Sequence, residues 1–430
     1  MQGFMRVFLL VVAAGLVLEL VSCRNASTLR ERTLAVYPEH IDGDSQIRVL
    51  VRSGLSEAAL TVSGGYEILS EPPDPAKPVL GAVRESSAPS VTVSVRPTEQ
   101  GLKLGRNETP YAAVRIRALQ GARLAVNGED IGKEVVLRRV SMKPGSASGP
   151  FALQVVARVG IEEYLAGVIP NEMYTHWPLE ALRAQCVASR TYALYKMRTR
   201  THLDWDVYNT VASQVWKPSP QGSPIVNMAV NSTRGIVMTD NFRLFPAYFS
   251  AQCGGETKNA ERVFISRHIA PLTGVRCPYC LGRPGAENWT FSLPVEEIEN
   301  RLKNGGYPVG LIRNIQALDE NGRILRSRGR VYDVTLEHEV EGKVRMLTLP
   351  LENVFRRLVG AGRGELASSY FSVSVRDGLA TFTGRGFGHG VGLCQYGAQY
   401  LAKEGKSYQE ILEYYYGGHT RVRLYGAEPR

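Results

Sequence analysis

No run of lysine and arginine resembling a basic tail occurs in this chain, nor any zinc-finger, RNP or helix-turn-helix pattern. That disfavours nucleic acid as a partner, although a formal net charge of +10 asks for something anionic. What remains is an acidic surface such as a bacterial wall or anionic lipid. Past the N-terminus no segment is apolar enough to span a bilayer. Long repeats are absent, and so is an HExxH pair that would put a base beside a catalytic metal. A zinc hydrolase acting on peptide or amide bonds is therefore disfavoured. Cysteine is scarce, with six in 430 residues. Five of them follow Cys23, an odd number that cannot all pair. With 44% apolar and 21% charged residues, the chain has the composition of a globular protein, long enough for two or three domains.

The N-terminus sets the expected compartment. Arg6 precedes an apolar run from Val7 to Leu18, the layout of a secretory signal. Leu20-Val21-Ser22-Cys23 looks like a bacterial lipobox, so residues 1–22 are expected to be a lipoprotein signal peptide and Cys23 the lipidated mature N-terminus. Two acyl chains would give stable attachment. A plain signal peptide or an uncleaved anchor is the alternative. In each case the protein is exported, and the lipobox places it on the cell envelope.

The fold class expected is α+β. Residues 23–44 are polar and read as a tether. Residues 45–150 read as a β-rich region, with short β-branched runs at 47–52, 59–62, 66–69, 112–117, 124–126 and 135–137. The Pro- and Ser-rich stretch Ser70–Pro97 is expected to be a loop or mobile insertion. A mixed core over 151–425 follows, opening on a strand at Phe151–Val159 and holding a β-rich subdomain at about 290–380. Helical text starts at Trp177-Pro178, where Leu179, Leu182, Cys186, Ser189, Ala193 and Met197 recur on one face. Arg190 lies beside that stripe. Further helices are expected at 352–358, 395–403 and 408–416, the last ending at Gly417-Gly418.

Two segments carry chemistry. Glycines at 384, 386, 388, 390, 392 and 397 surround His389, Cys394, Gln395 and Tyr396. Glycine permits positive φ and close approach of another chain or a ligand, so this is either a site or a tight strand connection. Far upstream, Ile169-Pro170-Asn171-Glu172-Met173 sets one acidic residue in a turn before the helix, next to Tyr174, His176 and Trp177. Apolar neighbours desolvate a carboxyl and raise its pKa, which suits a general acid. A glutamate here could equally act as a helix cap. Cys277 and Cys280 have CxxC spacing, with His268 nine residues earlier. Such ligands suit tetrahedral zinc, while a disulfide involving Cys253 remains open.

The text Glu162-Glu163-Tyr164-Leu165-Ala166-Gly167-Val168-Ile169-Pro170-Asn171-Glu172-Met173, the helix Trp177–Ala193, the block Ala247–Thr257 and the glycine segment together resemble the SpoIID/LytB family of bacterial wall proteins. The resemblance covers roughly 155–420. It implies that Glu172 is a catalytic acid/base, that Arg190 supports it, and that His389, Gln395 and Tyr396 line a sugar cleft where Trp177 and Tyr396 stack on sugar faces. It also implies zinc near the groove, with His268, Cys277, Cys280 and Cys253 as ligands. Ala251-Gln252-Cys253 stands where many relatives carry a Ser/Thr run, so no serine-based role is expected. The implied activity is lytic transglycosylation of peptidoglycan. A single carboxyl cleaves the MurNAc-β-1,4-GlcNAc bond and the sugar's own C6 hydroxyl closes a 1,6-anhydro ring. The alternative is a non-catalytic wall-binding module that enhances a separate amidase. Expected partners are glycan strands, the membrane through the lipid anchor, and a wall amidase.

Overall fold

Period-two burial builds the N-terminal part. In Ala58–Ser63 the side chains of Ala58, Leu60 and Val62 are buried while Ala59 and Ser63 face outward. The computed structural model describes residues 46–424 apart from 73–78, 84–88, 144–148, 219–221, 265–267, 283–287 and 418–419. The expected signal peptide, tether and lipidated Cys23 lie outside the described residues. The chain divides into two units, one built from Arg48–Val159 and the other from Gly160 onward. Among the described residues no helix is long and apolar enough to cross a membrane.

The first unit holds two sheets. One runs in the order Gln46–Leu55, Phe151–Gly160, Glu134–Ser141, Ala113–Ala118, Tyr66–Ser70, Val79–Val83. The other runs Glu129–Gly132, Arg123–Val126, Ala58–Ser63, Val91–Pro97, Leu102–Leu104, Asn107–Thr109. Within Ser70–Pro97 the expected loop is replaced by two strands. Val91–Pro97 pairs antiparallel with Ala58–Ser63, and Val79–Val83 pairs with Tyr66–Ser70. Cross-strand pairing of Val91, Val93 and Val95 overrides a composition that reads as breaker-rich. The strand expected at 151–159 is present, with Glu134–Ser141 as its neighbour in the first sheet.

The second unit is α+β. Helices α1 (Ile161–Glu172), α2 (Leu179–Thr199) and α3 (Pro224–Ser232) come first. After them lie α4 (Val295–Asn304), α5 (Gln395–Lys403) and α6 (Tyr408–Tyr416). Helix α2 packs against α1, α3, α5 and α6. It was expected to bury one stripe, but every residue from Ala184 to Leu194 is buried, Gln185, Arg190 and Thr191 included. A helix covered all round must satisfy its polar side chains internally. The β-rich subdomain appears as a four-stranded and a three-stranded sheet around Ile298, Leu302, Val334, Leu336, Phe355, Phe371 and Phe382. Its hairpin Tyr370–Arg376/Leu379–Arg385 turns through Asp377 and Gly378, with φ of 50° and 73°, the conformation that matches strand twist in a two-residue loop. The helix expected at 352–358 is a π-helical segment, Leu351–Arg356, continued by one α turn.

Candidate active site

Glycine lets the segment 384–392 lie directly against the Tyr248–Lys258 stretch. Gly386, Gly388, Gly390 and Gly392 all have positive φ, from 72° to 100°. The glycine backbone lies along the Tyr248–Lys258 segment: Gln252 and Phe387 exchange N–H···O bonds, Lys258 N donates to Gly390 O, and Leu393 N donates to Tyr248 O. Phe249–Ser250 and Leu393–Cys394 then pair as short parallel strands. A Cβ at Gly392 would stand 1.9 Å from Tyr248 O, at a φ of 72°. Gly392→Ala is therefore expected to lower the unfolding free energy of this unit by more than about 4 kcal/mol, the range reached by backbone failures. Denaturant titration of the variant measures it.

Glu172 sits elsewhere than in the expected turn. Strand Phe151–Gly160 runs directly into α1, Pro170 is tolerated inside its last turn, and Glu172 is its final residue. The carboxylate Oε1 accepts a hydrogen bond from Val215 N at 2.9 Å. Burial pushes the carboxyl up to about 7, against the opposing hydrogen bonds from Val215 N and the Gln395 side chain. The negative end of the α1 dipole acts in the same direction as burial. A relay of amides supports this carboxyl from behind. Gln395 Nε2 lies 3.5 Å from Gln185 Oε1, and Gln185 Nε2 donates to Ser189 Oγ at 3.0 Å. Tyr164, fully buried, donates to Gln214 Oε1 beside Val215.

Aromatic rings flank the acid. Trp177 is buried with its ring edge-on to Tyr396, centroids 4.9 Å apart. Tyr174 packs against both His176 and Trp177 and is 54% exposed. His176 is exposed as well, whereas Trp177, which the resemblance nominates for stacking on sugar, is buried; the resemblance does not nominate Tyr174. The signal available was its position two residues after the acid.

Arg190 is fully buried, and its partner is Glu162. Its Nε and Nη2 donate to the two oxygens of that carboxylate at 3.0 and 2.6 Å, and Nη1 donates to Ile236 O. Glu162 Oε1 also accepts from Gly235 N. The fork ties α1, α2 and the strand Ile236–Thr239 together. Arg190 thus donates to Glu162 and Ile236, whereas the resemblance implies support of Glu172.

His389 packs against Phe264 and Tyr248, centroids 5.4 and 6.1 Å away. Its Nδ1 accepts from Val391 N at 3.0 Å, and the ring also bonds the Phe249 backbone. Burial is the main cause that pulls its pKa down to about 4, so the ring is neutral at physiological pH. It anchors the glycine segment to its neighbouring strand. Close by, Lys258 is buried over the Tyr332 ring with Glu352 Oε1 3.7 Å from its Nζ, and burial brings its pKa down to about 7. Tyr248 also packs against Tyr192, centroids 5.9 Å apart.

The cysteines group differently from the set the resemblance implies. Cys253, Cys277, Cys280 and Cys394 bring their Sγ atoms within 4.8 Å of one another, all buried. His268 is an exposed side chain 3.3 Å from Glu261 and stands outside that cluster. The fourth member is Cys394, which sequence spacing could not nominate because it lies far along the chain from the CxxC pair.

The family model described as SpoIID, stage II sporulation protein, matches residues 151–239. Stage II sporulation protein D of Bacillus subtilis (strain 168) is 30% identical over 283 residues, 62% of this chain and 76% of that protein. An uncharacterized protein of Brachyspira hyodysenteriae is 35% identical over 269 residues, 61% of this chain and 67% of its own length. The protein named amidase enhancer in Bacillus subtilis is 28% identical over 299 residues, and the match spans only 40% of it.

Proposed function

Because this chain belongs to the stage II sporulation protein D family, we propose that it is a peptidoglycan lytic transglycosylase with Glu172 as its acid and base. The observation that carries the reading is a carboxyl held at about 7 by burial, with an amide and a backbone N–H as its hydrogen-bond partners. Protonated, Glu172 gives its proton to the glycosidic oxygen as the C1–O bond breaks and the GlcNAc 4-hydroxyl leaves. The resulting carboxylate then takes the proton of the MurNAc C6 hydroxyl as O6 bonds to C1. Glu172 ends protonated, and no water is consumed. Acid–base help of this kind contributes roughly 10²–10⁴-fold, and the ring closure gains further because both reacting atoms belong to one sugar. The Val215 and Gln395 donors keep the transient carboxylate from being wholly unsolvated. Tyr174 and Tyr396 offer ring faces to the sugars. The N-terminal lipobox would hold the enzyme at the envelope, where anionic wall polymer meets a chain of net charge +10.

Digestion of purified glycan strands tests this directly. Products ending in 1,6-anhydroMurNAc, lighter by one water than hydrolytic ends, are expected by mass spectrometry; hydrolytic ends alone would refute the mechanism. The pH profile is a second expected outcome. Since the first step needs the protonated acid, kcat/KM should fall as pH rises through about 7.

The second reading is a non-catalytic enhancer of a wall amidase, favoured by the likeness to the protein named amidase enhancer. Under it, wild-type protein leaves glycan strands intact and still raises the rate of an added amidase.

A further inference from the structure

We propose that Cys253, Cys277, Cys280 and Cys394 form a tetrathiolate zinc centre that clamps the start of α5, and through it Gln395, in place behind Glu172. The donor set fits the ion. Zinc–sulfur bonds of about 2.3 Å in a tetrahedron set sulfurs about 3.8 Å apart. Here Cys253 Sγ and Cys280 Sγ are 3.6 Å apart, and all four sulfurs lie within 4.8 Å of one another. The spacing is far from the roughly 2.05 Å of a disulfide. Thiolates also need donors around them, and the surroundings supply these. Cys253 N donates to Cys394 Sγ at 3.3 Å, and the Tyr415 hydroxyl stands 3.2 Å from Cys277 Sγ. Gly397 leaves the room: a Cβ there would meet Tyr415 Oη at 1.9 Å and Cys277 Sγ at 2.9 Å.

The ligands come from three separate stretches of chain, which is what a structural ion joins. Cys253 follows the strand Phe249–Ser250, Cys277 and Cys280 flank a single 3₁₀ turn, and Cys394 immediately precedes α5. Gln395, the first residue of α5, bonds both Glu172 and Gln185. With every coordination position filled by sulfur, the ion has no open site and supplies no chemistry to a substrate. Its contribution is to fix a backbone position. The consequence for Glu172 rests on the proposed transglycosylase reading, whereas the metal centre itself does not.

The full chain, purified under reducing conditions with its metal, is expected to contain one zinc per polypeptide by elemental analysis. Cobalt(II) exchanged into the site should give the intense thiolate-to-metal absorption and the red d–d bands of a tetrahedral all-sulfur centre. Cys394→Ser is expected to weaken zinc binding by at least about tenfold. Cys394→His keeps four donors and should retain zinc with altered cobalt bands, which carries the test should the serine variant fail to fold. Chelation of the wild-type protein should speed amide hydrogen exchange over 253–255, 277–281 and 393–398 ahead of the β-rich subdomain. Zinc-free folded protein whose four thiols react with Ellman's reagent would overturn the proposal. So would mapped disulfides among these cysteines, or undiminished zinc in a folded Cys394→Ser variant. None of these measurements requires wall-cleaving activity, so an inert protein with a full zinc complement would sink the transglycosylase reading alone.

Discussion

Glu172→Gln is expected to abolish formation of anhydro ends, with a loss of at least about 10²–10⁴-fold, and at the same time to stabilise the protein above neutral pH. The two effects have one origin. The folded carboxyl titrates at about 7 against 4.5 for the ordinary group. Between those values the folded state holds a proton that the unfolded state has released, so stability falls as pH rises from about 4.5 through about 7. At 1.36 kcal/mol per pKa unit the penalty amounts to about 3 kcal/mol once ionisation is complete. Glutamine is neutral at every pH and avoids it. Wild type and variant should therefore unfold alike at about pH 4, below the ordinary carboxyl value, while the variant should be the more stable at about pH 8, each measured by denaturant titration. Retention of activity within tenfold would remove Glu172 from the chemistry. Loss of activity with no pH-dependent stability gain would leave the carboxyl catalytic and contradict its buried environment.

Glu162→Gln is expected to destabilise the second unit by about 3–5 kcal/mol, the cost of leaving a buried guanidinium without its counter-charge. Arg190 Nε and Nη2 both bond Glu162, and the arginine side chain is 1% exposed. Replacing both partners together, as Glu162→Gln with Arg190→Met, should recover much of that loss because no charge is then stranded. Arg190→Lys tests the fork geometry: one ammonium cannot satisfy Glu162 bidentately and reach Ile236 O as well. If Arg190 acted on Glu172 instead, Arg190→Met would shift the pH profile of catalysis, and the double variant would stay inactive although restored in stability. Equilibrium unfolding and the pH dependence of kcat/KM separate these outcomes.

The sequence made Glu172 and the glycine segment stand out because both spend residues a core does not want. It misled on the local structure of Glu172, since Pro170 and Asn171 argue against helix. The last turn of α1 has fewer backbone bonds to lose, and Asn171 Nδ2 donates back to Gly167 O at 2.8 Å. Helix α2 was visible as a helix but not as a buried one. A 3.6-residue stripe predicts one covered face, while the burial of Gln185, Ser189, Arg190 and Thr191 depends on partners from α1, α5 and the strand Ile236–Thr239. His268 was favoured over Cys394 for the opposite reason: proximity along the chain is the only distance a sequence displays. The strands hidden in Ser70–Pro97 were masked by the prolines and serines around them, although Val91, Val93 and Val95 alternate plainly.

The amide contact between Gln185 and Gln395 joins positions 210 apart, and the parallel strands beside it, Phe249–Ser250 and Leu393–Cys394, are also far apart in the chain. Closing so long a loop costs only logarithmically more than a short one, but contacts of this range form late. During synthesis, α1 and α2 emerge complete while Gln395, which bonds Glu172, has yet to appear. The surroundings of Glu172 are therefore assembled only once the stretch around Gln395 has left the ribosome.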